Sequence, residues 1–103
     1  MPGPTDGRPP VECRLLRVEG RVQGVGYRDH CRRQAQALGL AGWVRNRRDG
    51  TVEVLLQGPA DDLARMEACL REGPRAARVD RVTATVPPAP QARLEAFELR
   101  PTE

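Results

Sequence analysis

Apolar residues recur along the chain with two different spacings, and these spacings predict an alternation of strands and helices. Strands are predicted at residues 12–19, 43–47, 52–57, 79–86 and 94–100, where apolar side chains alternate or cluster between turn residues. Helices are predicted at residues 28–38 and between the Gly58-Pro59 and Gly73-Pro74 breaks, where apolar residues return every three or four positions. The order β-α-β-β-α-β plus a short edge strand predicts an α+β ferredoxin-like split β-α-β sandwich, with an antiparallel sheet and two helices on one face.

The same patterns predict which side chains form the core. Apolar residues in each helix fall on a single face, and the second helix begins with two acidic residues, which its positive end favours. Alternation predicts one apolar face on the third and fourth strands. The expected core positions are Tyr27, Cys31, Ala35 and Leu38 in the first helix, Leu63, Met66 and Leu70 in the second, Val52, Val54 and Leu56 in the third strand, and Val82, Ala84 and Val86 in the fourth.

Length and composition predict one domain behind a short leader. A chain of 103 residues can bury one modest core. Residues 1–10 are polar and rich in Pro and Gly, so we expect a disordered leader there and a folded domain over residues 11–101. No apolar run approaches the roughly 18 residues of a membrane span, and the first residues lack the pattern of a secretory signal. We therefore expect a cytoplasmic protein without a membrane partner.

The missing residue types narrow the chemistry. The chain contains no Ser and no Lys, which excludes Ser nucleophiles, Lys Schiff bases and the Lys-dependent phosphate loop of nucleotide-binding proteins. Cys13, Cys31 and Cys69 form no Cys-x-x-Cys pair, so we interpret them as small core residues and not as a disulfide framework or zinc site. His30 is the only His, and a lone His packs or lies at the surface more often than it binds a metal. No metal and no cofactor are expected.

A glycine-containing turn before the first helix is a candidate anion site. Consecutive N–H groups of such a turn can converge on a phosphate, and Gly24 and Gly26 permit the positive φ that it requires. The first N–H groups of the helix would point to the same place, and the forked guanidinium of Arg28 could bind two phosphate oxygens. The alternative is an ordinary turn with Arg28 in solvent. A cation near the positive end of a helix costs about 0.3–1 kcal/mol, which favours an anion between them.

Asn46 is a candidate for holding a water molecule. It is the only Asn in the chain and lies in a predicted strand, where Asn is disfavoured, shortly before the Asp49-Gly50 turn. Its amide offers a donor and an acceptor, so it could orient a water without acting as a base. The alternative is a residue that merely precedes the turn.

The segments around these residues resemble a known family. GRVQGVGYR, residues 20–28, and GWVRNRRDGTVE, residues 42–53, are similar to the two signature motifs of the acylphosphatases, and the resemblance extends over about residues 12–100. It implies that Arg28 clamps the substrate phosphate and that Asn46 holds the attacking water. The residues that it assigns to the phosphate cradle, through their backbone amides, are Gln23, Gly24, Val25, Gly26 and Tyr27.

The resemblance implies a metal-independent acylphosphatase, which hydrolyses the carboxyl–phosphate anhydride bond of acyl phosphates to a carboxylate and inorganic phosphate. Phosphate is expected to act also as a competitive inhibitor, and the protein is expected to be a monomer. Two positions, Tyr27 and Arg47, depart from the family pattern, and a third, Gly26, lies where the family varies. Tyr27 replaces the usual Phe, and Arg47 follows Asn46 where a small hydroxyl residue is common.

Two other functions are compatible with the predicted fold, because it also hosts binding modules. One is a non-catalytic domain that binds an acyl or carbamoyl phosphate. The other is an RNA-binding module, but such modules stack bases on aromatic side chains, and this chain has one Trp, one Tyr, one Phe and a net charge of only +3. Six Arg and one Asp between Arg28 and Arg48 could form a field that attracts anions or simply a solvated face.

Overall fold

The computed structural model describes residues 11–87 and 91–103, so the predicted leader, residues 1–10, lies outside the described residues. The elements in chain order are β1 (Glu12–Arg21), α1 (Tyr27–Ala37), β2 (Ala41–Asn46), β3 (Val52–Gly58), α2 (Ala60–Glu72), β4 (Arg78–Thr85) and β5 (Phe97–Leu99). The predicted β-α-β-β-α-β order with a final short strand is confirmed. Within the described residues, neither helix is long and apolar enough to cross a membrane.

The five strands form one sheet in the order β4-β1-β3-β2-β5. Strand β3 pairs antiparallel with both β1 and β2, and β4 pairs antiparallel with β1. The edge strand β5 pairs parallel with β2. The sheet is therefore mixed, which corrects the expectation of an antiparallel sheet at this one edge. Strand β4 lies at the opposite edge of the sheet and is antiparallel to β1, so β5 runs in the direction opposite to β4 and parallel to β2.

The core lies between one face of the sheet and both helices. Leu16 and Val18 of β1 lie opposite Val54 and Val52 of β3, and all four side chains are fully buried. The predicted core faces of α1, α2 and β3 are confirmed, with Leu38 only partly buried. Burying these aliphatic and aromatic side chains is the main term that stabilises the fold, at roughly 1.5–3 kcal/mol for each large side chain.

Two predictions about the last strands are wrong in detail. In β4, Val82 is buried, but Ala84 and Val86 are exposed, because β4 is an edge strand with a neighbour on one side only and ends before Val86. Strand β5 is shorter than residues 94–100. The backbone of the residues before β5 forms hydrogen bonds with the buried side-chain amide of Gln57 instead. This amide donates to the Ala92 carbonyl at 2.7 Å and accepts from the Leu94 N–H at 2.7 Å.

The sheet face away from the helices is also covered, by its own side chains. Trp43 lies opposite Leu55 in the β2–β3 pair, and they are 8% and 2% exposed. The guanidinium groups of Arg45 and Arg100 lie 4.6 Å and 5.2 Å from the centre of the Trp43 ring, within the range of cation–π attraction. The Arg side chains therefore shield an apolar patch that no helix covers.

The sheet topology brings the carboxyl ends of three strands to the same end of the sheet. Strands β1 and β2 run in the same direction because each is antiparallel to β3, and β5 is parallel to β2. The carboxyl ends of β1, β2 and β5 therefore lie at the same end of the sheet. The glycine-containing turn follows β1, Asn46 ends β2, and Leu99 ends β5.

Candidate active site

The turn between β1 and α1 has the backbone conformation that its glycines predict. Gly24 and Gly26 have φ of 74° and 78°, and Gly26 is the N-cap of α1 in the left-handed region. A β-carbon placed on either glycine would meet no atom within 4 Å. Glycine is therefore needed here for its backbone angles and not for lack of space, and the turn faces an open region that a small ligand could enter.

The turn offers backbone donors that the protein does not use. Within the described part of the chain, the N–H groups of Gly24, Val25 and Gly26 donate to no protein acceptor. They lie at the beginning of α1, where unpaired N–H groups and the helix dipole together favour an anion. Several donors in one short turn are the arrangement that a phosphate requires.

Arg28 carries the positive charge of this region without a carboxylate partner among the described residues. Its guanidinium Nη1 donates only a long hydrogen bond, 3.4 Å, to the Arg100 carbonyl. The neighbouring Asp29 pairs with Arg32 and Arg33, one turn along α1, and not with Arg28. The Arg28 charge is thus available to a ligand.

Most of the other Arg of this segment have a carboxylate partner. Beyond the Asp29 pairs, Arg45 lies 2.7 Å from the Glu53 carboxylate and also pairs with Glu103, and Arg47 lies 3.7 Å from Glu53. Of the six Arg in the segment, only Arg28 and Arg48 lack an ion pair within the described residues. This distribution favours a local charge at Arg28 over a broad positive field.

Asn46 is held by its backbone while its side-chain oxygen has no partner. The carbonyl of Asn46 accepts a hydrogen bond from the Glu103 N–H at 3.0 Å, and the Glu103 carbonyl accepts from the Arg48 N–H at 3.2 Å. Among the described residues, the Oδ1 atom of Asn46 is one of two buried side-chain polar atoms without a hydrogen-bond partner. A buried amide oxygen without a partner is costly, by about 1–3 kcal/mol, unless a water or ligand satisfies it.

A cavity of about 190 Å³ joins these features. It is lined by Val22, Gly24, Gly26, Tyr27, Arg28, Asp29, Asn46 and Leu99. The structure therefore brings the predicted clamp, the turn and the predicted water-holding residue together. Leu99, which is 40% exposed, is an apolar part of the wall that the sequence did not identify.

Two of the predicted cradle residues have side chains that point elsewhere. Val25 packs against the hydrophobic core. The Gln23 side chain contacts the β2–β3 hairpin, where its Nε2 donates to the carbonyls of Arg47 and Thr51 at 2.7 Å and 2.8 Å. Neither side chain lines the cavity, so only their backbones could take part in a cradle.

Tyr27 fits the core because its hydroxyl has an internal partner. The ring is 1% exposed, and the hydroxyl donates to the Leu70 carbonyl at 2.7 Å. Burial raises the pKa of Tyr27, and the nearby Cys31 raises it further, so the hydroxyl stays protonated and able to donate. The departure from Phe is thus accommodated by one buried hydrogen bond between α1 and α2.

His30 and the three Cys form no metal site within the described residues. His30 lies in α1 with its Nε2 buried and unpaired, and its ring centre is 6.3 Å from that of Tyr27. Cys31 is buried, as predicted, whereas Cys13 and Cys69 are only partly buried. Within residues 11–87 and 91–103, no three His, Cys, Asp or Glu side chains could hold a metal ion. A larger cavity, about 530 Å³, lies between Val11, Pro59 and Leu94, away from Arg28 and Asn46.

Comparisons with known proteins agree with these features. The acylphosphatase family model matches residues 14–99. Acylphosphatase 1 of Ralstonia nicotianae is 53% identical over 89 residues, which cover 86% of this chain and 87% of that protein. The crystal structure of an acylphosphatase from Bacillus subtilis superposes with a TM-score of 0.81 at 32% identity and covers 88% of this chain and 99% of that one. HypF from T. kodakarensis superposes with a TM-score of 0.75 at 31% identity over 84% of this chain, but over only 11% of its own length.

Proposed function

The chain belongs to the acylphosphatase family, and from this premise we propose that it hydrolyses the carboxyl–phosphate anhydride bond of small acyl phosphates at the cavity between the turn and Asn46. One observation carries the proposal. A guanidinium without a carboxylate partner, a turn with free N–H groups and an amide oxygen without a hydrogen-bond partner, all judged among the described residues, meet in one cavity of about 190 Å³.

In this proposal the turn and Arg28 bind the phosphoryl group. The backbone N–H groups of residues 23–27 surround its oxygens, and the planar fork of Arg28 contacts two of them. These donors are fixed by the fold before the substrate arrives, so they stabilise the charge on the phosphoryl oxygens without reorganising. Only Arg28 and Asn46 would act through side chains that touch the reacting groups.

Asn46 places the attacking water. Its Oδ1 accepts a hydrogen bond from a water whose oxygen then attacks phosphorus in line with the departing carboxylate. The new P–O bond forms as the P–O bond to the acyl group breaks, and the acyl oxygen keeps the bonding electrons. Acyl phosphate dianion and water thus give a carboxylate and dihydrogen phosphate, and both protons of the water remain with the phosphate.

This chemistry asks for no general acid and no metal. A carboxylate is stable as an anion near neutral pH, so the leaving group departs without a proton. The charge on the phosphoryl oxygens is met by Arg28 and by backbone donors. We expect inorganic phosphate, which shares these contacts, to compete with the substrate.

We further propose that the protein acts as a monomer in the cytoplasm. The turn, Arg28 and Asn46 are the groups that the proposed reaction uses, and one copy of the chain supplies all of them. The three Cys are unpaired, as is usual for proteins of reducing compartments.

The RNA-binding alternative finds little support in the exposed surface. Trp43 is the most exposed of the three aromatic side chains at 8%, so none of them is available to stack on a base. A purely binding domain would also use the turn and Arg28, so a measurement of turnover is needed to distinguish it from a hydrolase.

Phosphate release separates these functions. Purified protein incubated with acetyl phosphate or benzoyl phosphate should release inorganic phosphate with saturation kinetics, whereas a phosphate monoester, whose alkoxide leaving group needs protonation, should not be hydrolysed. Tight binding of the acyl phosphates without turnover would support the binding domain and refute the hydrolase.

A further inference from the structure

The side chain of Gln23 connects the two halves of the site. The cradle turn begins at Gln23, and Asn46 ends β2 on the other side of the cavity. Both N–H bonds of the Gln23 amide reach across to the hairpin that follows Asn46, one to the Arg47 carbonyl at 2.7 Å and one to the Thr51 carbonyl at 2.8 Å. Arg47 is the residue next to Asn46, so this contact lies one peptide away from the proposed water-holding group.

The hairpin that Gln23 contacts is closed by its own hydrogen bonds. The Arg47 N–H donates to the Thr51 carbonyl at 2.8 Å, and the Gly50 N–H donates to the Arg47 carbonyl at 3.1 Å. Inside the turn, the Asp49 carboxylate accepts from the hydroxyl and the N–H of Thr51, and these bonds lower the pKa of Asp49. These bonds tie Arg47, the residue after the end of β2, to the rest of the hairpin, so the Gln23 contacts with two hairpin carbonyls also restrain the end of β2.

The two contacts need the chemistry of a primary amide. Both acceptors are carbonyls, and a neutral side-chain NH₂ group supplies two donors from one atom. A carboxylate of the same shape would offer only acceptors to these carbonyls, and an apolar side chain would remove the link between the turn and the hairpin. The part-buried setting makes both losses more costly than at a solvated surface.

We propose that the Gln23 side chain is a positioning residue that sets the distance and direction of the Asn46 amide relative to the phosphate cradle. The inference rests on the proposed hydrolase function, because it assigns Gln23 a role in the attack of water. Gln23 itself touches no reacting atom through its side chain. Its effect on the reaction passes through Asn46, whose backbone carbonyl accepts a hydrogen bond from the Glu103 N–H.

The first test compares two Gln residues that make the same number of backbone contacts. Gln23→Met keeps the length of the side chain and removes both hydrogen bonds. Gln57→Met removes the bonds to Ala92 and Leu94. Gln57 lies near the far end of β3, five residues after Val52, where the strand begins. We expect Gln23→Met to lower kcat between about tenfold and a hundredfold, the scale of a lost alignment, while the inhibition constant of inorganic phosphate changes less than about threefold. Gln57→Met should lower the melting temperature without this loss of kcat.

A double-mutant cycle with Asn46→Ala then asks whether Gln23 acts through Asn46. If it does, Gln23→Met will lower kcat in the parent but change it little in the Asn46→Ala background, because the group that it positions is gone. If Gln23 only supports the general structure, the two losses will multiply. Multiplied losses, or a loss of phosphate binding as large as the loss of kcat, would overturn the proposal.

Two further variants keep the test decisive if Gln23→Met folds poorly. Gln23→Asn retains the amide, so it should fold, but its shorter side chain cannot reach both carbonyls and kcat should fall. The loss of kcat should be smaller than in Gln23→Glu, which places a carboxylate against the two carbonyls. Equal activity of Gln23→Asn and the parent would contradict the positioning role. A parent protein that hydrolyses no acyl phosphate would instead refute the proposed function, a result visible before any variant is made.

Discussion

Replacing Asn46 by Ala separates catalysis from binding and from stability. The Oδ1 atom of Asn46 has no hydrogen-bond partner in the protein, so its removal breaks no internal bond. The backbone contact with the Glu103 N–H does not depend on the side chain. We therefore expect the free energy of unfolding to stay the same or to rise slightly, because a buried amide oxygen that costs about 1–3 kcal/mol when unpaired is removed.

The rate should respond quite differently. Loss of one group that aligns the attacking water costs roughly a hundredfold in kcat, which corresponds to about 2.7 kcal/mol in the activation free energy. The turn and Arg28 remain, so the inhibition constant of inorganic phosphate should change little. Initial rates with benzoyl phosphate, phosphate inhibition and a thermal melt on the same sample provide the three values. A variant that melts much earlier or no longer binds phosphate would show that Asn46 supports the cradle.

Asn46→Asp tests whether the site needs a base. The carboxylate has the shape of the amide but puts a negative charge beside the bound phosphoryl group. For a separation of about 5 Å and an effective dielectric constant of about 20, each pair of unit charges costs about 3 kcal/mol, which is more than a hundredfold in affinity. We expect weaker binding of substrate and phosphate and a low rate. An Asn46→Asp variant as fast as the parent would mean that base catalysis limits the reaction and that the water-orienting role is wrong.

Three further changes test the phosphate clamp, the buried Tyr27 hydroxyl and the first ten residues. Arg28→Lys should lower kcat/KM by roughly a hundredfold and weaken phosphate inhibition, because an ammonium cannot bind two oxygens in one plane; retention of most of the activity would reduce Arg28 to a field charge. Tyr27→Phe should lower the free energy of unfolding by about 1–3 kcal/mol through the unpaired Leu70 carbonyl, with kcat unchanged, as chemical denaturation and steady-state kinetics would show. Removal of residues 1–10 should leave the melting temperature and activity nearly unchanged, and a marked fall in either would show that the leader contacts the domain.

The order of elements could be predicted because each one carries a clear local signal. The helical spacing of Tyr27, Cys31 and Ala35 matches the buried face of α1, and the Asp49-Gly50 turn joins β2 to β3. The parallel pairing of β5 could not be predicted, because strand direction at an edge depends on the path of the preceding chain. The buried amide of Gln57, which takes the place of sheet pairing around Leu94, likewise depends on residues far apart in sequence.

The candidate site shows the same division. The glycines of the turn, Arg28 and Asn46 have residue types that suggest their chemistry, and the structure places them around one cavity. The role of the Gln23 side chain had no local signal, because its acceptors lie 24 and 28 residues away. The sequence likewise could not predict that the Tyr27 hydroxyl donates to a carbonyl of α2, because this contact depends on how the two helices pack.

Hydrolysis in ¹⁸O-labelled water shows which atom the water attacks, and in the proposed reaction that atom is phosphorus. With benzoyl phosphate under single-turnover conditions, ¹⁸O should appear in inorganic phosphate, where it shifts the ³¹P resonance, and the benzoate should remain unlabelled. The reaction should be equally fast after treatment with a chelator. Label in the benzoate would place the attack at the acyl carbon and would contradict the roles assigned to the turn, Arg28 and Asn46.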